Sequence, residues 1–177
     1  MRERLCAALI AMTLAWPVLA ANPPPLPPAL TAQQSDFALV GEGRMRWFGL
    51  LLYDATLWAG DGRWTWERPF ALDLRYARDF VGAKLAEASV DEMKRLGHTD
   101  AALLQKWRDY MVDAFPDVRK GERITGVYRP GEGVEFFHQG RSTAVVRDPA
   151  FGRAFFSIWL DPRTREPKLR AALLGRS

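Results

Sequence analysis

Cysteine is almost missing from this chain of 177 residues: there is one, Cys6. It lies in the first apolar stretch, so the rest of the chain can form no disulfide and offers no thiol nucleophile. Stability must come from core packing. Histidine is scarce too, with only His98 and His138. His98 sits between two helical patterns and His138 follows Phe136-Phe137 in a strand pattern. Neither has a second histidine or a carboxylate at ligand spacing, which argues against a zinc site. There is no Gly-x-Ser-x-Gly elbow, no glycine-rich phosphate loop and no His-Glu-x-x-His. Gly41-x-Gly43 lacks a third glycine and precedes a strand, so it is not a dinucleotide fingerprint, and no cofactor is expected. Asp91 and Glu92, beside Lys94 and Arg95, read as a solvated helix face rather than an acid–base pair. An excess of one charge is also lacking. The formal charge is +4, and basic and acidic residues are interspersed, so no nucleic-acid partner is expected.

A long hydrophobic run is the last absence. Leu5 to Ala15 is apolar but shorter than the roughly 20 residues a bilayer span needs. Met1-Arg2-Glu3-Arg4 precedes it, and Trp16-Pro17 and then Val18-Leu19-Ala20 follow. A charged start, a short apolar core and a small-x-small end make a secretory signal peptide; an N-terminal anchor or a buried helix is the plainer alternative. Residues 1–20 are therefore expected to be removed, with cleavage after Ala20 or Ala21, giving a periplasmic or secreted protein with a charge of about +3. No cysteine sits at the cleavage point, which argues against a lipid anchor. About 155 residues remain, enough for one domain with a sizeable core.

What is present divides cleanly. Residues 21–35 hold Asn22 to Pro28, a proline-rich stretch that predicts an extended spacer. A single domain is expected over 36–175. Strand patterns run over Phe37–Val40, Glu42–Ala59 (with Gly49 marking a bulge) and Phe70–Tyr76. Helical spacing follows: Val81 to Leu96, capped by Asp79 and stopped by Gly97, then Leu103 to Phe115, capped by Thr99 and ended by Pro116. Strands return at Arg123–Tyr128, Val134–Gln139 and Thr143–Val146, joined by glycine turns. Asp148-Pro149 opens a third helix through Trp159, and Pro167–Leu174 is a last one closed by Gly175. Segregated runs of strands and helices predict an α+β fold with a largely antiparallel sheet and helices on one face.

Arg44 and Arg46, two apart in a strand, share a face of the sheet. If helices cover that face, an arginine enters an apolar layer and needs a partner such as a ligand carboxylate or phenolate. If the face is open, both are simply solvated. Tyr76 and Arg78 raise the same question. Seven tryptophans point to a large core, and a sheet-and-helix sandwich of such side chains can also hold an elongated apolar pocket.

The chain resembles the bacterial chalcone isomerase-like proteins. The residues that carry this are Arg44-Met45-Arg46, Leu52-Tyr53-Asp54-Ala55-Thr56-Leu57-Trp58, Leu74-Arg75-Tyr76, Glu92-Met93-Lys94-Arg95-Leu96-Gly97, Phe115-Pro116-Asp117-Val118 with Gly121, Phe136-Phe137 with Gly140, and Phe155 through Pro162. They span Phe37 to Leu174. The resemblance implies an open-faced β-sandwich: a curved antiparallel sheet, a helical layer on one face and a ligand cleft between. It also implies a superfamily in which plant members cyclise chalcones and others bind fatty acids without catalysis. Carried over by position, the phenolate-holding arginine falls near Arg44, with Arg46 possible because the register slips. The strand threonine falls near Leu52, the tyrosine near Val81, the asparagine near Ala88 and the last hydroxyl on Ser157. On this mapping an arginine and one hydroxyl remain while the carbonyl-polarising groups are lost, unless Tyr76 points into the same cleft. Each lost transition-state donor typically costs about 10²–10³ in rate. The expected ligand site is thus Arg44, Arg46, Leu52, Tyr76, Val81, Ala88 and Ser157, with Arg44, Tyr76 and Ser157 as candidates for any catalysis. The expected function is an exported, non-catalytic binder of an apolar, anionic small molecule such as a fatty acid. The alternatives are an isomerase acting on a chalcone-like α,β-unsaturated ketone, and a cell-envelope accessory protein. No stable membrane span is expected, and no protein partner can be named.

Overall fold

The computed structural model describes residues 27–31 and 36–176. The expected signal peptide and most of the proline-rich segment lie outside the described residues. Six strands form one sheet in the order β1 (Phe37–Trp47), β2 (Leu50–Gly60), β3 (Phe70–Tyr76), β4 (Arg123–Arg129), β5 (Gly133–His138) and β6 (Arg141–Val146). Every neighbouring pair is antiparallel. Four helices pack on one face: α2 (Gly82–Arg95), α3 (Ala101–Ala114), α4 (Pro149–Leu160) and α5 (Pro167–Leu173). The architecture is the α+β fold read from the pattern, an antiparallel sheet with helices on one face, and it is the open-faced sandwich that the resemblance implies.

One helical turn departs from the expected spacer. Pro28–Thr31 forms α1, and Leu30 is buried on the other face of the sheet with Phe37, Trp58, Ala71, Val127 and Phe137. An apolar residue beside an uncovered apolar strip folds onto it rather than staying extended.

The hairpin between β1 and β2 also differs from expectation. Gly49 marks a two-residue turn with Phe48, and both have positive φ, 48° and 80°. That sign matches the twist of the flanking strands. Phe48 is an unusual occupant, because a β-carbon in the left-handed region costs roughly 1–2 kcal/mol. The bulges fall elsewhere, at Val40 in β1 and at Leu52 in β2.

Helix starts follow local hydrogen bonding. Asp100, not Thr99, caps α3 by accepting from the Leu103 N–H at 3.0 Å. Asp79 does not cap α2; it accepts from the Lys120 N–H at 2.7 Å. Asp117 supplies the missing acceptor, taking the Gly82 N–H at 2.9 Å. The two connections therefore latch each other, with Phe80 bridged to Val118 between them. Asp148 caps α4 as the sequence predicts, accepting from the Phe151 N–H at 3.0 Å.

The core lies between the sheet and α2–α5. Its aromatic rings, among them Phe70, Phe136, Phe151, Phe155, Phe156 and Tyr128, meet mostly edge to face, the geometry ring quadrupoles favour.

Candidate functional site

The layer between sheet and helices is not filled at one end. A cavity of about 430 Å³ opens there, within the size range of small-molecule pockets. Its sheet wall is Met45 and Trp47 of β1, Leu52 and Tyr53 of β2, Leu74 and Tyr76 of β3 and Ile124 of β4. Leu52 and Tyr53 are consecutive, and strict alternation would send one of them to the far face. The bulge at Leu52 turns both toward the helices. The helix wall comes from α2 (Lys84, Leu85, Ala88, Ser89, Glu92), α4 (Phe155, Ile158, Trp159) and Leu169 of α5, with Phe80, Phe115 and the 164–166 connection closing the ends.

Most polar groups of the lining are already engaged. Ser89 Oγ donates to the Leu85 carbonyl at 2.8 Å, and Thr164 Oγ1 donates to the Ile158 carbonyl at 2.7 Å. Lys84 pairs with Glu87 at 2.7 Å. Glu92, read from sequence as a solvated residue, sits at the cavity rim between Arg95 at 2.7 Å and Arg165 at 3.1 Å. The Lys84 and Arg165 side chains are 73% and 51% exposed, so the cations of the lining lie at its mouth.

Two phenols are different. Tyr53 and Tyr76 face each other across β2 and β3, with ring centroids 6.1 Å apart. Trp159 Nε1 donates to Tyr53 Oη at 3.0 Å, which leaves the Tyr53 O–H free to donate. Tyr76 is 5% exposed, and its hydroxyl has no hydrogen-bond partner among the described residues. Burial pushes the Tyr53 phenol up to about 12, against the opposing Trp159 hydrogen bond and with smaller help from Glu166 and Glu92. Burial likewise pushes Tyr76 well above the usual phenol range, assisted by Tyr53 and Asp73. Both are neutral donors near pH 7, and neither can serve as a base there.

Of the seven residues predicted for the site, the structure brings Leu52, Tyr76 and Ala88 into the cavity lining. The other four lie outside it. Arg44 and Arg46 alternate with the lining residues Met45 and Trp47, so they occupy the opposite, open face. Arg44 Nε pairs with Asp54 Oδ1 at 3.2 Å, and Arg46 Nη1 donates to the Gly49 carbonyl at 3.1 Å. Val81 is the 54% exposed residue just before α2. Ser157 is buried and donates to the Arg153 carbonyl at 2.7 Å within α4. Arg78 is exposed and outside the lining. Sequence reasoning missed Tyr53 and Trp159 as site residues. A tyrosine one place past a bulge cannot be assigned a face from period alone. His138 lies 3.0 Å from Glu122, and no group of three or more potential metal ligands occurs among the described residues.

Comparison with known proteins agrees with this architecture. The profile of the chalcone isomerase-like family matches residues 25–175. An uncharacterised protein of Haemophilus influenzae is 27% identical over 139 residues, covering 78% of this chain and 68% of that one. The solved structure of a fatty-acid binding protein from Arabidopsis thaliana superposes with a TM-score of 0.60, covering 80% of this chain and 88% of that one at 14% identity. At that identity the likeness is one of fold.

Proposed function

The chain belongs to the chalcone isomerase-like family, and on that premise we propose that it binds an elongated, largely apolar small molecule such as a fatty acid without transforming it. The observation that carries this reading is the open cavity, whose inner end is apolar except for two neutral phenol donors. Such a cleft gains affinity from burying hydrocarbon, while one or two hydroxyls orient an acceptor on the ligand. The fatty-acid binding activity named for the Arabidopsis protein of the same fold supports the ligand class. The signal-like N-terminus supports a place of action in the cell envelope, periplasmic or secreted.

Chemical conversion fits less well. Intramolecular conjugate addition needs a group to hold the attacking phenolate beside the double bond. Arg44 and Arg46 face the other way, and Lys84 and Arg165 stand at the mouth. One observation favours the isomerase reading: the Tyr76 hydroxyl, without a hydrogen-bond partner among the described residues, can donate to a ketone oxygen. Native mass spectrometry of protein purified from its host should find a copurifying lipid. Titration with a long-chain fatty acid should quench or shift tryptophan emission saturably, since Trp47 and Trp159 line the cavity. Absence of both signals sinks the binding reading. Flavanone formation from a chalcone, abolished in Tyr76→Phe, would replace it with the isomerase.

A further inference from the structure

Three of the six exposed large apolar residues among the described ones are gathered at one place. In the β1–β2 turn Trp47 is 47% exposed, Phe48 90% and Leu50 54%. Trp47 and Phe48 meet edge to face at 5.1 Å, forming an aromatic tip. Phe48 holds a left-handed conformation that asparagine or glycine would adopt with less strain. A strained turn that presents a phenylalanine to solvent is poor design for a free surface.

Two further features say what covers it. Trp47 also lines the cavity, so the tip adjoins the cavity directly. The part of the open face nearest the tip carries more arginine than acid. Arg44, Asp54, Arg75 and Arg123 stand in register across β1–β4, and Arg46 lies nearer the turn. Asp54 is taken by Arg44, and Asp73 is taken by Arg123 at 2.8 Å. Arg46 and Arg75 form no salt bridge among the described residues and are exposed. Tryptophan and phenylalanine at a tip, with exposed arginines outside any salt bridge behind it, match an anionic bilayer: the rings enter the interface and the guanidinium groups meet the headgroup phosphates.

We propose that the Trp47–Leu50 tip docks the protein onto an anionic lipid bilayer and seats the cavity mouth against it. An apolar ligand then passes between bilayer and cavity without crossing water. The transfer step rests on the binding function proposed above; the docking does not.

The test is flotation of the purified protein with vesicles of phosphatidylcholine and phosphatidylglycerol, against vesicles of phosphatidylcholine alone. The mixed vesicles should carry the protein, added salt should weaken the binding, and tryptophan emission should shift to the blue as Trp47 enters the interface. Phe48→Asn should lower vesicle affinity about tenfold or more. Its melting temperature should be unchanged or higher, because asparagine suits the turn. Arg46→Gln should reduce the preference for the anionic vesicles. All variants carry the same N-terminus, so any contribution from residues 1–20 cancels. Flotation of Phe48→Asn equal to the parent's, or no flotation with either vesicle, overturns the proposal. So does a parent that is a dimer in solution and that Phe48→Asn turns into a monomer, since the tip would then meet a second copy. Fatty-acid titration of Phe48→Asn in vesicle-free buffer should match the parent, because Phe48 is outside the lining. If the parent binds no fatty acid yet floats, the binding function fails and the docking stands.

Discussion

Tyr53 and Tyr76 share a face of the sheet and differ in what their hydroxyls do. Tyr53 Oη is the acceptor for the Trp159 indole at 3.0 Å, across the cavity end. Tyr53→Phe leaves that partly buried N–H without a partner, so unfolding free energy should fall by about 1–3 kcal/mol in a denaturant titration. The Tyr76 hydroxyl bonds no protein group among the described residues, so Tyr76→Phe should leave stability unchanged within about 0.5 kcal/mol. The same change should weaken an acceptor-bearing ligand about three- to tenfold, as loss of one neutral hydrogen bond does, and leave a plain hydrocarbon unaffected. Equal losses for both ligands would show that Tyr76 acts only by packing. Residue identity alone reveals none of this contrast, since each tyrosine precedes a small or charged neighbour in a strand. The difference is set by where the Trp159 indole reaches.

Among the elements, α4 depends on one side chain. Asp148 accepts from the Phe151 N–H at 3.0 Å and from Trp107 Nε1 at 3.3 Å, and pairs with Lys106 at 3.2 Å. It thereby joins the start of α4 to α3. Partial burial raises its pKa, but the Phe151 N–H, Lys106 and Trp107 together outweigh this and hold it below the usual carboxylate value of 3.8. A lowered native pKa means the native state binds the proton less tightly than the unfolded chain. The stabilisation is thus complete above the unfolded value and is lost as pH falls through the native one. Asp148→Ala should cost about 1–2 kcal/mol near neutral pH. The deficit should shrink as the pH is taken below about 4, and a deficit that stays constant down to pH 2 would contradict the assignment. This cap was legible, because Asp-Pro before an apolar helical run places cap and first residue together. The α2 cap was not: its acceptor, Asp117, lies 35 positions away.

At the scale of the whole molecule, α5 decides whether the cavity has a wall. It packs on β1 where Gly41 and Gly43 leave room: a β-carbon at Gly41 would strike the Ala172 carbonyl, and one at Gly43 would lie 2.6 Å from Leu169 Cδ1. Leu169 and Glu166 line the cavity from that side. Gly41→Val should therefore lift α5, lower the melting temperature by several degrees and abolish fatty-acid binding together, whereas Tyr76→Phe affects binding alone. Ligand should in turn stabilise the parent protein, by about 2.7 kcal/mol at a hundredfold excess over Kd, read as a rise in melting temperature. A melting temperature indifferent to ligand would mean that the cavity is not where the ligand binds.

The sequence by itself determined the class of fold, the order of the elements and most of their boundaries. Period-two strands, period-3.6 helices and the punctuation of Asp-Pro and glycine are local signals, and each acts within a few residues. It also determined which chemistries lack their residues, and it carried the family resemblance. It did not determine the face of the sheet on which Arg44 and Arg46 stand. Helices that pack on a sheet choose its more apolar face, and that choice sums residues over six strands. Nor could it place Leu52 and Tyr53 together in the cavity, because a one-residue bulge reverses every assignment beyond it. Tertiary structure put the two phenols opposite each other and sent Ser157 into its own helix. It left Trp47 and Phe48 uncovered beside the mouth. Those contacts join residues far apart in the chain, and their energies exist only once the layers have met.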